Sequence, residues 1–439
     1  MQKVLFLFAI LFLLQMSIET HAQTPNDFAE IWDKNHISNI FPSNVRHKDL
    51  KKYLGQLKEM GLKTEEVGRS FGNREIYQIE WGKGATRVFM WSQMHGDEPT
   101  ATSALIDMFA YLQQNPDEKW VKKFSEKFTI RAVPMLNPDG SDIYQRYNLQ
   151  GIDINRDATF LRTPEGQLLK KLRDEWSPNI GFNLHNQQAL TTVGKTPKQA
   201  AISLLAVLGN PNGTSNIGHE RNKRICAVMF FALNNFIRGH IGRYDESYNG
   251  LAFGDNFSAW GTPTILIETG ALYGKDEMFL VKMNFVAFLA ALQSIADGTE
   301  SNLSESNYDA IPLNTSGRIA HFIFRNANIV NFAENSTSYK ADVAIILERR
   351  RAEFAHSAFI SNVGVLPNLA GLEEYDTSNF YMIPRFGKIR IGERGEFLFY
   401  KKSRQIDWQT PNLETAVPPD AIFSLGKWFK GEGVVPKKN

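Results

Sequence analysis

The stretch Trp91-Ser92-Gln93-Met94-His95-Gly96-Asp97-Glu98-Pro99 carries an imidazole and a carboxylate three residues apart, directly after the apolar run Val88-Phe89-Met90-Trp91. A strand that stops, presents His-x-x-Glu on a loop and hands over to a helix is a layout for a metal ion. Nitrogen and carboxylate donors suit Zn²⁺, and a His₂Glu set with one open position is a recognised catalytic arrangement. Taken alone, His95 and Glu98 read equally as ordinary polar loop residues. Two further strand ends change the balance. Ile180-Gly181-Phe182-Asn183-Leu184-His185 closes on a second histidine, and Pro263-Thr264-Ile265-Leu266-Ile267-Glu268 closes on a carboxylate. With His185 as the third ligand, Glu268 is left as a base that can take a proton from water and pass it to a leaving amine. Arg146, then Asn155 and Arg156 on a polar loop, offer forks for a substrate carboxylate or an oxyanion.

These residues need a scaffold that brings strand ends together. Apolar strands near residues 75–81, 88–91, 128–135, 180–185 and 263–268 alternate with helical patterns. The helices are expected at 48–60, from 101 to 112, after the Thr163-Pro164 start signal, from about 223 to 237, and from about 277 to 296. Such alternation predicts an α/β unit whose sheet is covered on both faces, with ligands gathered where strands end. Asn137-Pro138-Asp139-Gly140 reads as a turn. From about residue 301 the pattern changes to short apolar runs separated by turns, including 319–324, 341–347, 388–391 and 396–400. A small C-terminal all-β domain of sandwich-like type is expected over 301–439, joined through the polar stretch 297–302. The α/β catalytic domain is expected over 23–300.

Composition excludes other classes. With 43% hydrophobic and 22% charged residues the chain is not generally disordered, and a net charge of +2 gives no case for nucleic acid. Residues 1–22 combine Lys3, an apolar run from Val4 to Leu14 and the cleavage-like end Thr20-His21-Ala22, the pattern of a secretory signal peptide. A run of about 11 residues is too short to span a bilayer. The expectation is a secreted or periplasmic protein without stable membrane insertion after signal removal. Cys226 is the single cysteine, so no internal disulfide forms, and its apolar neighbours predict a buried structural role. Gly68-Arg69-Ser70-Phe71-Gly72 fits Gly-x-Ser-x-Gly but leads into a strand rather than a helix, the wrong context for a nucleophile elbow.

The ordered set His95-x-x-Glu98, Asn137-Pro138-Asp139-Gly140, Arg146-Tyr147-Asn148, Gly151-x-Asp153-x-Asn155-Arg156, Leu184-His185 and Ile267-Glu268-Thr269-Gly270 resembles the zinc carboxypeptidase family, peptidase M14. The resemblance covers roughly residues 45–297. It implies a central mixed β-sheet flanked by helices and one Zn²⁺ per chain held by His95, Glu98 and His185. It also implies Glu268 as general base, Arg146 polarising the scissile carbonyl, Asn155 and Arg156 gripping a free C-terminal carboxylate, and Asp153 orienting the first histidine. The implied activity is hydrolysis of the C-terminal peptide bond by a water that zinc activates. Rival readings are a zinc-dependent deacylase of N-acyl amino acids, a murein-peptide carboxypeptidase, and a non-catalytic peptide-binding protein, which should lack a ligand or the base. Three departures stand out. Asp157 follows Arg156 where the family commonly has Asn, either to meet a substrate amine or to serve the loop. Asn183 stands where Asp is commoner. The substrate-capping tyrosine is assigned to Tyr248 first and Tyr244 second. Asp255 falls near where the family sets side-chain preference. The segments 324–330, 341–345 and 388–396 are similar to the small β-sandwich of amidohydrolases, which implies a fold and no second activity.

Overall fold

The computed structural model describes residues 22–331, 337–349 and 356–438; of the expected signal segment 1–22, only Ala22 lies within them. The first unit is built on strands β1 (Lys63–Arg69), β2 (Glu75–Gly82), β3 (Thr86–Ser92), β4 (Phe128–Val133), β5 (Ile180–Asn186), β7 (Ile202–Ala206), β8 (Ile241–Arg243) and β9 (Thr264–Thr269). They form one eight-stranded sheet in the order β1-β2-β4-β3-β5-β9-β7-β8. The ladders joining β4, β3, β5 and β9 are parallel, as is β7–β8, whereas β1–β2, β2–β4 and β7–β9 are antiparallel. The sheet is therefore mixed, as the family resemblance implies. A short strand β6 (Thr192–Val193) lies outside it.

Among the described residues, ten helices flank this sheet: α1 (Pro25–Asn35), α2 (His47–Glu59), α3 (Thr100–Gln114), α4 (Lys119–Lys127), α5 (Pro138–Asp142), α6 (Pro164–Trp176), α7 (Ile217–Asn234), α8 (Phe253–Ala259), α9 (Glu277–Asp297) and α10 (Glu305–Asp309). Period-two alternation divides each strand between two cores. On β5, Ile180, Phe182 and Leu184 join the larger cluster, which includes residues of α3, α7 and α9. On the other face, Phe89 and Trp91 of β3 pack with Leu169 of α6 and with Phe253 and Phe257 of α8. Helix α9 is long and apolar enough to cross a membrane, but 78% of its apolar window is buried, which makes it a core helix. Helix α3 is enclosed on all sides, with Thr100 through Leu112 all buried. Its Asp107 would be costly there without partners; Trp32 Nε1, the Ile37 and Ser38 amides and the Ser38 hydroxyl all donate to it.

Several local expectations are corrected. Asn137 to Gly140 is not a simple turn: Asn137 caps α5, its side chain accepting from Gly140 N at 2.8 Å. Residues 63–69, outside the expected strands, form β1, an exposed edge strand with no alternating apolar face to betray it. Residues 299–302 form a 3₁₀ turn whose Glu300 is buried against Arg221, and Tyr308 of α10 is fully buried in the first unit's core. The polar stretch 297–302 is thus packed structure, not a free linker.

The second unit comprises β10 (Asn314–Thr315), β11 (Ile319–Ile329), β12 (Tyr339–Arg349), β13 (His356–Gly364), β14 (Ala370–Asp376), β15 (Phe380–Pro384), β16 (Phe397–Lys401), β17 (Ala421–Ser424), β18 (Lys427–Lys430) and β19 (Lys437–Lys438). All but β10 join a separate sheet, as expected of a small all-β domain. β11 pairs with β14 over its first half and with β15 at its end, so the sheet splits and folds over an aromatic core of Phe324, Phe397, Phe399, Phe423 and Trp428. The expected strand at 388–391 is irregular chain, with Ile389 tucked into that core. β10 crosses back and pairs with β6 of the first unit.

Candidate active site

Three parallel strands, β3, β5 and β9, run side by side to one edge of the sheet. His185 on β5 lies opposite Glu268 on β9 in the ladder, and the loop after β3 brings His95 and Glu98 beside them. Close backbone packing fixes that loop. A Cβ on Gly96 would sit 2.0 Å from the carbonyl carbon of Gly140, so only glycine allows the approach. Asn137 braces it further, its side-chain amide donating to Met94 O. The Asn-Pro-Asp-Gly segment is therefore a buttress under the His-x-x-Glu loop.

His95, Glu98 and His185 are all buried and offer ligand atoms within 4.8 Å of one another. His95 Nδ1 lies 2.8 Å from Glu98 Oε1, His185 Nδ1 lies 2.6 Å from Glu98 Oε2, and the two Nδ1 atoms are 3.2 Å apart. Two imidazole nitrogens and a carboxylate converging on one point are donor types that hold Zn²⁺. The donor set fits zinc.

The His95 half of the site is densely bonded. His95 Nε2 donates to Asp153 Oδ1 at 2.9 Å, which leaves Nδ1 free to act as a ligand. Asp153 Oδ2 accepts from Arg146 Nε at 2.9 Å, and Arg146 Nη1 reaches Glu98 Oε1 at 3.2 Å. One carboxylate thereby orients both a ligand and the arginine. Burial works against ionisation of Glu98 and Asp153, but the imidazoles and Arg146 outweigh it and hold both carboxyls below the usual range. Burial alone would lower His95, but Glu98 and Asp153 lift it to about 9. His185, more deeply enclosed, is held below its usual value by burial.

The Glu268 half is different. Glu268 is 8% exposed, and its Oε2 finds no hydrogen-bond partner among the described residues; neither do His185 Nε2 and Asn183 Oδ1. Burial, with the nearby negative charge of Glu98, pushes the Glu268 carboxyl well above its ordinary value. A perturbed carboxyl in a cleft, with an oxygen left open, is a candidate for proton transfer.

These groups line a cavity of about 900 Å³ over the sheet face formed by Asn183, Leu205, Val207 and Leu266. Asn155, Arg156 and Asp255 also line it. Asn155 is fixed by accepting from Phe253 N at 2.9 Å. Arg156 is exposed and donates only to Asn155 O among the bonds of the described residues, so its fork is available to an anion. Burial pushes Asp255 up to about 6 despite the Asn249 amide and the charge of Arg156. Asp157 does not line the cavity. It accepts from Arg162 N and from both Thr163 N and Oγ1, so it serves its own loop and the start of α6. Tyr248, the first-choice capping tyrosine, does not line the cavity either, and its ring lies against Gly250; Tyr244 does line it. Ser70 closes its own turn by accepting from Arg74 N, in keeping with an accidental Gly-x-Ser-x-Gly match, and Cys226 is buried with its thiol pushed up by burial. The cavity floor on β7 was missed in the sequence, although the apolar run Ala200 to Val207 was a signal for it. So were Gln187 and Gln188 after β5 and Asn314 to Ser316 around β10, which no local pattern marks.

The profile of the zinc carboxypeptidase family, peptidase M14, matches residues 50–340. Carboxypeptidase 2 of Trichophyton rubrum is 32% identical over 164 residues, covering 35% of this chain and 29% of the relative. Carboxypeptidase 2 of Trichophyton tonsurans is 33% identical over 116 residues, covering 26% and 21%. The chain thus spans less than a third of the length of these curated relatives. The solved metallo-carboxypeptidase of Burkholderia cenocepacia superposes with a TM-score of 0.47 at 16% identity, covering 57% of this chain and 69% of that one. With the profile matching well over half of its length, the chain belongs to the zinc carboxypeptidase family.

Proposed function

We propose that the protein is an exported metallocarboxypeptidase that removes the C-terminal residue of peptides. The observation that carries the reading is a buried carboxyl with an unpartnered oxygen, Glu268, beside a His₂Glu donor cluster, in a cavity that also offers the open fork of Arg156. Zinc, which His95, Glu98 and His185 would hold, would supply Lewis acidity to the attacking water and the scissile carbonyl. Asn155 and Arg156 bind the terminal carboxylate and so align the last peptide bond. Glu268 accepts the proton of the attacking water and delivers it to the departing amine. Arg146, steadied by Asp153, donates to the oxygen on which negative charge develops. Tyr244 covers the bound residue from the cavity wall, and Asp255 beside it favours a C-terminal residue carrying a donor or a cation.

Export is supported by the Lys3 and Val4–Leu14 pattern. The murein-peptide reading loses the support of Asp157, which is committed to its loop. A peptide-library digest read by mass spectrometry, with and without a chelator, tests the proposal. Stepwise loss from C-termini, stopped by the chelator, is expected. Release of acyl groups from N-acyl amino acids with peptides left intact would overturn it in favour of the deacylase.

A further inference from the structure

The C-terminal β unit does more than follow the catalytic unit in the chain. Asn314, Thr315 and Ser316, which lead into it, line the same cavity as His95, Glu98 and Glu268. They are bolted there. Asn314 pairs with Val193 and Thr315 with Thr192, and Asn314 Nδ2 donates to Gln187 Oε1 at 2.9 Å. Gln187 in turn donates from its backbone to Thr269 O, one residue beyond Glu268.

A second cavity, of about 470 Å³, opens between the two units and shares Gln188 and Ser316 with the first. Its volume lies in the range of sites that bind small ligands, about 300–1,000 Å³. Leu190 lines it from the catalytic unit; Val365, Leu366 and Leu369 line it from the loop between β13 and β14. That loop is held rigidly. Arg325 donates to Leu366 O and Leu369 O while its guanidinium is paired with Asp342 and Glu374. Val365 is nevertheless 90% exposed. Val365 is thus an exposed apolar side chain on a braced loop, beside a cavity that adjoins the active one at Gln188 and Ser316.

We infer that this groove binds the peptide chain on the N-terminal side of the scissile bond, with the β unit contacting residues several positions upstream through Ser316 and Val365. The inference rests on the carboxypeptidase reading. With the C-terminal carboxylate fixed by Arg156, the rest of an extended substrate advances about 3.3 Å per residue and needs a way out of the cavity. The groove past Gln188 and Ser316 is an exit that both units build, and its mixed lining, with no charged side chain among the described residues, favours uncharged upstream residues.

The test compares kcat/KM for a dipeptide and for peptides of about six to eight residues sharing one C-terminal residue, using the wild-type chain, Val365→Asp and Val365→Lys. Position 365 is so exposed that both variants are expected to fold. Long peptides should exceed the dipeptide about tenfold in wild type, the gain of burying a few apolar groups. Scanning Lys and Glu through the upstream positions, Val365→Asp should favour Lys and Val365→Lys should favour Glu at the same position, by about two- to fivefold each. A merely structural role for residue 365 does not produce that inversion. Equal rates for long and short peptides, or no charge inversion at any position, overturn the groove while the carboxypeptidase reading stands. If no peptide of any length loses its C-terminal residue, the carboxypeptidase reading itself falls, and the groove with it.

Discussion

The two halves of the candidate site are built on opposite plans. Around His95 the buried polar groups are joined: Asp153 accepts from both His95 and Arg146, and Arg146 reaches Glu98. Around Glu268, buried polar atoms stand open, among them Glu268 Oε2, Asn183 Oδ1 and His185 Nε2. An unpaired buried polar group costs about 1–3 kcal/mol, so a fold keeps several in one place only where something compensates. The joined half resembles a mount, fixing geometry before anything binds. The open half faces the cavity and is free to meet water and substrate.

Replacing the open carboxyl should have the largest effect. Glu268→Gln keeps the shape but removes the proton acceptor, and turnover should fall about 10²–10⁴-fold, the usual worth of a positioned general base. Metal content by elemental analysis should be unchanged, because Glu268 is not among the three ligands. Near-normal turnover would sink the division of labour. Asp153→Asn attacks the mount instead. Here metal affinity, measured by competition with a chelator, should drop about 10–100-fold, as for other partners of metal-bound histidines. If Asp153→Asn left affinity intact, His95 would not depend on its partner, and the contrast with His185 would lose its meaning.

Arg156→Ala should act on recognition alone. Losing a charge-assisted bond to a carboxylate, about 1.5–3 kcal/mol, should raise KM for free C-termini about tenfold or more. Amidated peptides should be affected far less. An equal loss on both would remove Arg156 from the binding role.

How much of this could be read from residue order follows from the physics of each part. His95, His185 and Glu268 were legible because each ends an apolar run, and a polar residue at a buried strand end has few structural reasons to be there. The covered α/β sheet was legible through the alternation of runs, its mixed direction only through the family resemblance, and its edges through neither. Strand β1 is largely exposed, and β8 has three residues, too few for any period to register. The choice between Tyr244 and Tyr248 lay beyond reach, because both sit in irregular chain where no periodicity says which way a ring turns. The Gln187–Asn314 contact joins residues 127 apart in sequence, and nothing local announces it. The stretch 388–391 misled for the opposite reason: its alternation is strand-like, but only Ile389 found a core to enter.

The smallest effect concerns Asp255, which belongs to neither half but stands on the same cavity wall. Its carboxyl titrates near 3.8 in an unfolded chain and about 6 in the folded protein, burial being the cause. Between those values the folded state holds more protons than the unfolded one. The stabilising contribution is complete below about pH 4 and is lost as pH rises through 6. Asp255→Asn cannot ionise, so it should stabilise the protein relative to wild type at pH 7 and not at pH 4. The shift converts to about 1–3 kcal/mol, read as a difference in urea midpoints at the two pH values. An identical difference at both would mean that Asp255 pays no ionisation penalty in the fold. A substrate cation entering the cavity would relieve the same penalty, so the variant should also weaken binding of basic C-terminal residues most at pH 7, where the wild-type carboxylate is charged.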